Sequence, residues 1–156
     1  MGGDIADRLR EHPFSKDFPP EHITHMAAMA SQVRFPAGEI IFQEGDQSSL
    51  FYLLVTGNVA LEIQSPERPV RLATLLAGEV LGWSSVTGDA VHQLQARALG
   101  DVHALAFDGP RLLQACEADY SFGFRFARAV VDVMTGRLRA IRAHLRDIDT
   151  PLEEEK

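Results

Sequence analysis

The amino-acid sequence predicts a mainly β fold, a sandwich or rolled barrel, with helices flanking it on both sides. Three observations predict it. Short apolar runs fill residues 33–108 and are separated by recurring glycines. Apolar residues at helical spacing lie on either side of this region, and the last of them form a heptad pattern. Short strands joined by glycine-bearing turns are typical of sandwiches and barrels, and not of alternating βαβ units.

Size and composition indicate one globular domain. The 156 residues are 46% hydrophobic and 24% charged, and the formal net charge is −7. A chain of this size can bury a sizeable core without disulfides or a structural metal. The acidic balance disfavours non-specific DNA binding, because neutralising phosphates requires a surplus of lysine and arginine.

The cellular setting is inferred from cysteine usage and hydropathy. The single cysteine, Cys116, cannot form an internal disulfide, and a lone thiol suggests a reducing compartment. The first residues lack the pattern of a signal peptide, and no apolar run reaches the roughly 20 residues that span a bilayer. We therefore expect a cytoplasmic protein without membrane association and without a metal site.

Residues 1–32 are predicted to form a helical lead-in. A helix is expected to begin near Pro20, because proline suits the first helical position. Its apolar residues recur at helical spacing, at Ile23, Met26, Ala27 and Ala30. A shorter helix is predicted around residues 5–9.

Residues 33–109 are predicted to form the β-roll. The segment Val59-Ala60-Leu61-Glu62-Ile63 alternates in polarity, as a half-buried strand does. Gly45-Asp46 and Gly57-Asn58 predict turns in which glycine adopts positive φ, and Gly38 is expected to do the same. Further strands are predicted at residues 39–42, 51–55, 70–76 and 94–107.

Residues 110–149 are predicted to be helical. Asp108 and Pro110 suit the start of one helix, and a long helix is expected to start near Asp119. Thr150-Pro151 is predicted to end it, leaving an acidic tail at 150–156.

The long helix carries an apolar seam whose spacing alternates between four and three residues. The seam comprises Ala127, Val131, Met134, Leu138, Ile141, Leu145 and Ile148. A heptad seam favours a parallel two-fold homodimer, with an interface at Val131, Met134, Leu138, Ile141, Leu145 and Ile148. The alternative is a single helix that packs this stripe on its own roll.

Three stretches resemble the cyclic-nucleotide-binding domain superfamily, the sensor domains of the catabolite-activator and Fnr type. The family's opening strands are similar to Phe35–Asp46, followed by Tyr52, Leu54, Gly57 and Val59. The approach to its phosphate-binding cassette is similar to Leu75–Gly82, and the strand after the cassette to Gln95–Ala98. The resemblance implies a double-stranded β-helix (jelly roll), a cassette at residues 78–97, and a long C-terminal dimerisation helix.

The cassette departs from the family pattern where the family binds nucleotide. Trp83 stands where a glutamate typically takes the ribose hydroxyl. His92 and Gln93 stand where an arginine and a small hydroxyl residue clamp the phosphate. On the long helix, Ile141 and Arg142 replace a polar pair that reaches the adenine. Because a buried phosphate needs a cation or several donors, cyclic AMP binding in the usual way is not expected.

A degenerate pocket is therefore predicted. Its candidate ligand-binding residues are Gly82, Trp83, Ser84, Ser85, His92, Gln93, Arg137 and Ile141. The Trp83 indole can stack on a flat ligand, or it can fill the pocket as a core residue. Ser84 and Ser85 can offer hydroxyls to an anion or cap a short helix. Arg97 matches a strand position of the family and not its phosphate-binding arginine.

Three functions were compared. The favoured hypothesis is a sensor or interaction module that homodimerises, in which ligand occupancy reorients the long helix. No cofactor is expected; a cyclic nucleotide is the one ligand of this kind that the resemblance suggests. The alternative is a relative of transcription regulators that forms mixed dimers with a full-length regulator, or that binds another small ligand. No DNA binding is expected, because few residues follow Pro151. An enzyme is not expected, since the sequence lacks HExxH, G-x-S-x-G and Walker motifs.

Overall fold

The computed structural model describes residues 4–88 and 91–154, with side chains described up to residue 147. The elements in chain order are α1 (Ile5–Glu11), α2 (Pro20–Met29), β1 (Ala30–Phe35), β2 (Ile40–Phe42), β3 (Leu50–Thr56), β4 (Val59–Ile63), β5 (Val70–Leu75), β6 (Val80–Leu81), α3 (Ser84–Thr87), β7 (Gln95–Ala98), β8 (Val102–Asp108), α4 (Gly109–Ala118) and α5 (Tyr120–Glu154). The predicted mainly β fold with flanking helices and a long last helix is confirmed.

Two four-stranded antiparallel sheets form the roll. One sheet has the strand order β1-β8-β3-β6, and the other has the order β2-β7-β4-β5. The chain therefore crosses repeatedly from one sheet to the other, as in a jelly roll. A cluster of buried side chains from both sheets, including Leu54 and Leu61, fills the space between them.

Strand β3 separates two hydrophobic cores because its side chains alternate in direction. Tyr52 and Leu54 belong to the cluster between the sheets. Phe51 and Leu53 point the other way and pack against the helices. Strands β6 and β8 of the same sheet also contribute side chains to both clusters, so a shift of the helices is transmitted directly to this sheet.

The predicted turn glycines have the expected conformation. Gly45 has a φ of +91° and Gly57 a φ of +87°, in the left-handed region that favours glycine. At Gly57 a side chain would also collide with the backbone oxygen of Asp101. This position therefore excludes other residues for two independent reasons.

Some predicted boundaries are wrong. Helical spacing assigned Ala30 to the N-terminal helix, but Ala30 begins β1 and pairs with Phe107 of β8, so the lead-in ends before residue 32. The strand predicted at residues 94–107 is two strands, β7 and β8. In both cases pairing with a distant strand, which local spacing does not report, decides the backbone conformation.

The C-terminal helices start where the sequence predicts. The Asp108 side chain caps α4 by accepting a bond of 3.0 Å from the Arg111 N–H. Helix α5 begins at Tyr120, but it continues through Pro151 to Glu154, so the predicted end at Thr150-Pro151 is wrong. The bias of the residue before a proline against helix is a preference only. The side chain of Ile148 and those of the whole predicted acidic tail, residues 150–156, lie outside the described side chains.

One face of the first half of α5 is fixed to the core. Phe122, Phe126 and Val130 are buried. The Phe126 ring centroid lies 5.5 Å from that of Phe14 and 5.4 Å from that of Phe51. These contacts anchor the helix, and its later residues project away from them.

The predicted heptad seam lies on the exposed face of α5. Val131 is 54% exposed, Leu138 57% and Leu145 55%, and Met134 and Ile141 are each 39% exposed. The alternative that this stripe packs on its own roll is therefore wrong. Within the described residues, the stripe is therefore left exposed on the surface of α5.

His12 ties the loop after α1 to strand β3. Its Nδ1 accepts the Phe14 N–H at 3.1 Å, so its Nε2–H donates to the Leu54 carbonyl oxygen at 2.9 Å. This arrangement requires the neutral ring. Burial lowers the pKa of His12 below its usual value of 6.5, and the bond to Leu54 opposes that shift only in part.

Acid is therefore expected to destabilise the fold through His12. Because its pKa is lower in the folded chain, the unfolded chain binds more protons below pH 6.5, so the free energy of unfolding falls as pH decreases through that value. Urea unfolding between pH 7.5 and 5 measures the slope. His12→Gln should flatten it. Desolvation, Arg8 and Arg34 also lower the pKa of His103, so His12→Gln/His103→Gln should flatten it further. An unchanged slope in both variants would refute this assignment.

Candidate ligand pocket

Gly82 sets the direction of the chain at the start of the cassette. Its φ is +83°, and an added Cβ would lie 2.5 Å from the Leu50 carbonyl oxygen. Glycine alone accommodates both the conformation and the close approach. The turn delivers Trp83 to the N-terminal end of the short helix α3.

The other end of the cassette is held by the turn after β2. The Gly45 N–H donates to the His92 carbonyl oxygen at 2.8 Å, and the His92 N–H donates to that of Asp46 at 2.9 Å. The His92 ring is buried and stacks on Phe42, with the two ring planes 5° apart. The His92 side chain is thus fixed by packing.

Between these two ends lies a cavity of about 240 Å³. Buried Leu61, Leu81 and His92 form its inner walls, while Trp83 and Arg137 are partly exposed at its rim. The lining residues are Phe42, Leu61, Leu81, Gly82, Trp83, Ser84, His92, Gln93, Leu94 and Arg137. Trp83 therefore forms a wall and does not fill the pocket.

Arg137 brings a cation from α5 to this cavity. Its Nη2 donates to the Val80 carbonyl oxygen at 3.0 Å, and its Cζ lies 4.6 Å from the centroid of the Trp83 ring, within cation–π range. Burial lowers the pKa of the guanidinium, and the Glu79 carboxylate opposes that shift. The pocket therefore receives a positive charge from the long helix.

Most of the predicted site residues come together. Gly82, Trp83, Ser84, His92, Gln93 and Arg137 all line the cavity, whereas Ser85 and Ile141 do not. The Ser85 hydroxyl donates to the Gly82 carbonyl oxygen at 2.8 Å, closing the first turn of α3. Ser84 shares a hydrogen bond with the Ser48 hydroxyl.

Sequence reasoning missed the apolar walls. Phe42, Leu61, Leu81 and Leu94 line the cavity. The half-buried alternation predicted for β4 is wrong at the end of the strand, because Glu62 is buried and Ile63 is exposed. Arg97, in contrast, does not line it: its Nε lies 3.3 Å from the buried Glu62 carboxylate. This agrees with the strand position that the sequence assigned to Arg97.

A second, apolar groove adjoins the cavity on the exposed side of α5. It has a volume of about 400 Å³ and is lined by Trp83, Val131, Met134, Thr135, Arg137, Leu138 and Ile141. Two residues, Trp83 and Arg137, therefore belong to both the cavity and the groove. The groove is part of the predicted dimer seam.

Within the described residues, no helix combines the length and the apolar character needed to cross a membrane. The same part of the chain holds no cluster of three or more histidine, cysteine or acidic side chains that would hold a metal ion.

Comparison with known proteins agrees with this fold. Residues 32–119 match the cyclic nucleotide-binding domain family. The chain is 30% identical to a cAMP-dependent protein kinase regulatory subunit of Emericella nidulans over 94 residues, 60% of this chain and 22% of that protein. It is 23% identical to a CRP-like cAMP-activated global transcriptional regulator of Mycobacterium tuberculosis over 83% of this chain and 56% of that one.

The fold is similar to that of solved structures. A cyclic nucleotide-binding domain from Methylobacillus flagellatus superposes with a TM-score of 0.77 at 18% identity, covering 95% of this chain and 82% of that one. The chain spans less than two thirds of the length of the two regulatory proteins above. Since the family match covers more than half of this chain, including the cassette and both sheets, the chain belongs to the cyclic nucleotide-binding domain family.

Proposed function

We propose that the chain is a non-catalytic, cytoplasmic sensor domain that homodimerises through α5 and responds to a small ligand in the cassette cavity. One observation carries the proposal: Trp83 and Arg137 line both the cavity and the groove on α5. A ligand that moves either side chain reshapes the groove. The pocket and the dimer seam are therefore coupled through shared atoms.

The exposed stripe on α5 supports a homodimer. Its residues continue for several turns beyond the part of α5 that the core holds, and Leu138 and Leu145 are both more than half exposed. A contiguous apolar stripe of this kind on a soluble domain marks an interaction surface. Heptad spacing is the pattern that a second copy of the same helix can match.

The pocket residues support a ligand other than cyclic AMP in its usual mode. Two relatives are named for cAMP, but here His92 occupies the position of the phosphate-binding arginine, and its ring is stacked on Phe42. The cavity of about 240 Å³ is also smaller than the roughly 300–1,000 Å³ of most ligand pockets.

The response is a population shift between two positions of α5 relative to the roll. A ligand shifts such an equilibrium only by its difference in affinity for the two states. Arg137 provides that difference, because it joins α5 to β6 through Val80 and to the cassette through Trp83.

Sedimentation velocity and calorimetry test this function together. The protein is expected to sediment as a dimer at micromolar concentration, and titration with cyclic AMP, cyclic GMP and cyclic di-GMP is expected to give no tight binding. A monomer throughout the concentration range would refute the dimer. Submicromolar binding of cyclic AMP would refute the altered pocket.

A further inference from the structure

We propose that Arg137 is the anion-binding group of the cassette cavity, and that the ligand is a small organic oxyanion, an apolar body bearing one carboxylate or phosphate. This inference rests on the proposed ligand-sensing function. It names the ligand class and the residue that selects it. The anion clamp would be supplied by α5 and not by the cassette.

The guanidinium of Arg137 has donors to spare. It carries five N–H groups; within the described residues it donates to one carbonyl oxygen, that of Val80, and lies over the face of the Trp83 ring. Among residues 4–88 and 91–147, no carboxylate forms an ion pair with it. The Glu79 carboxylate favours the charged form of Arg137, but it accepts a hydrogen bond from the Leu76 N–H. The planar guanidinium therefore remains available to an oxyanion, which it matches with two parallel bonds.

The cavity walls determine the rest of the ligand. The inner walls include buried Leu61 and Leu81, and Phe42 and Leu94 add apolar surface, so they favour an apolar body. The charged group of the lining, Arg137, is partly exposed at the rim. A ligand that fits this cavity places its apolar body between the inner walls and its charged group beside Arg137.

Trp83 provides a fluorescence signal for ligand binding at Arg137. It is the only tryptophan in the sequence, and the Arg137 Cζ lies 4.6 Å from its ring centroid. An oxyanion that draws the guanidinium off the ring changes the environment of the indole. Binding at this site should therefore change the intrinsic fluorescence of the protein.

The experiment uses the wild-type protein with benzoate, phenyl phosphate, inorganic phosphate and the neutral benzyl alcohol. Calorimetry and tryptophan fluorescence are recorded for each probe. Benzoate or phenyl phosphate is expected to bind at least about tenfold more tightly than benzyl alcohol, because charge-assisted bonds to the oxyanion are lost with the alcohol. The ratio of the benzoate and phenyl phosphate affinities distinguishes a carboxylate ligand from a phosphate ligand.

Three variants identify the residue. Arg137→Gln is expected to weaken binding of the anionic probe at least about tenfold and to leave benzyl alcohol unaffected. Arg137→Lys should restore part of the affinity, since it keeps the charge without the planar fork. Arg139→Gln removes a charge from an exposed position of the same helix and should change nothing. Thermal unfolding by circular dichroism checks that each variant is folded.

The possible failures are distinct. Equal anion affinity in wild type and Arg137→Gln, equal affinity for benzoate and benzyl alcohol, or no binding of any probe at millimolar concentration would each overturn the oxyanion assignment. None of these results bears on whether the protein sediments as a dimer. A dimer without Arg137-dependent anion binding would refute this inference alone, and a monomer that still shows it would refute only the proposed dimer.

Discussion

Met134→Asp is expected to convert the dimer into a monomer. Met134 is 39% exposed and lies in the middle of the α5 stripe, where it lines the groove beside Trp83. In a parallel two-fold dimer each copy would bury one unpaired carboxylate. Since an unpaired buried charge costs about 3–5 kcal/mol, the dimer should weaken by at least about 100-fold.

Sedimentation equilibrium of both proteins measures that change. The matched control is Ala143→Asp, which adds the same charge at an exposed position of α5 outside the apolar stripe. It should leave dimerisation within about threefold of wild type, because surface changes away from special features usually have small effects. If Met134→Asp dimerises as well as Ala143→Asp, the stripe is not the interface.

Gly82→Ala is expected to cause the largest loss of stability among the cassette variants, about 2–5 kcal/mol. Two costs add up. A residue with a Cβ at a φ of +83° is strained by about 1–2 kcal/mol. The Cβ would also lie 2.5 Å from the Leu50 carbonyl oxygen, and relieving such overpacking costs about 1–3 kcal/mol. Since Leu50 begins β3 and pairs with β8, the cassette has to move instead of the sheet.

Urea unfolding separates the two costs with two other glycines. Gly45→Ala adds a side chain at a φ of +91° with no atom of the described residues within 4 Å, so it should show the strain alone, about 1–2 kcal/mol. Gly100 has neither a positive φ nor a close neighbour, so Gly100→Ala should change the free energy of unfolding by less than about 0.5 kcal/mol. Equal losses for Gly82→Ala and Gly45→Ala would mean that the contact with Leu50 is harmless.

Features that depend on neighbours along the chain could be predicted from the sequence. Gly45 and Gly57 adopt the positive φ that their turn dipeptides indicate, and Pro20 and Asp108 begin α2 and α4 as expected. Their conformations are set by local backbone sterics and capping bonds. Ala30 shows the limit of such local prediction. It follows helical spacing in the sequence, but it pairs with Phe107, which is distant along the chain.

The cassette was found in the sequence because its glycines and the strand after it keep a recognisable spacing. His92, Gln93 and Trp83 line the cavity as that spacing indicated. The apolar seam of α5 was likewise visible, because helical periodicity alone determines which side chains share a face. By itself, therefore, the sequence determined the roll, the location of the pocket and the apolar face of the last helix.

Only the tertiary structure decided how the pocket is charged. Arg137 was already a candidate pocket residue in the sequence, but only the fold brings its guanidinium to the carbonyl oxygen of Val80, 57 residues earlier in the chain. That meeting depends on where the buried phenylalanines of α5 dock on the sheet. Docking is fixed by the packing of distant side chains in one core, and no periodicity within α5 encodes which surface of the roll its other face will meet.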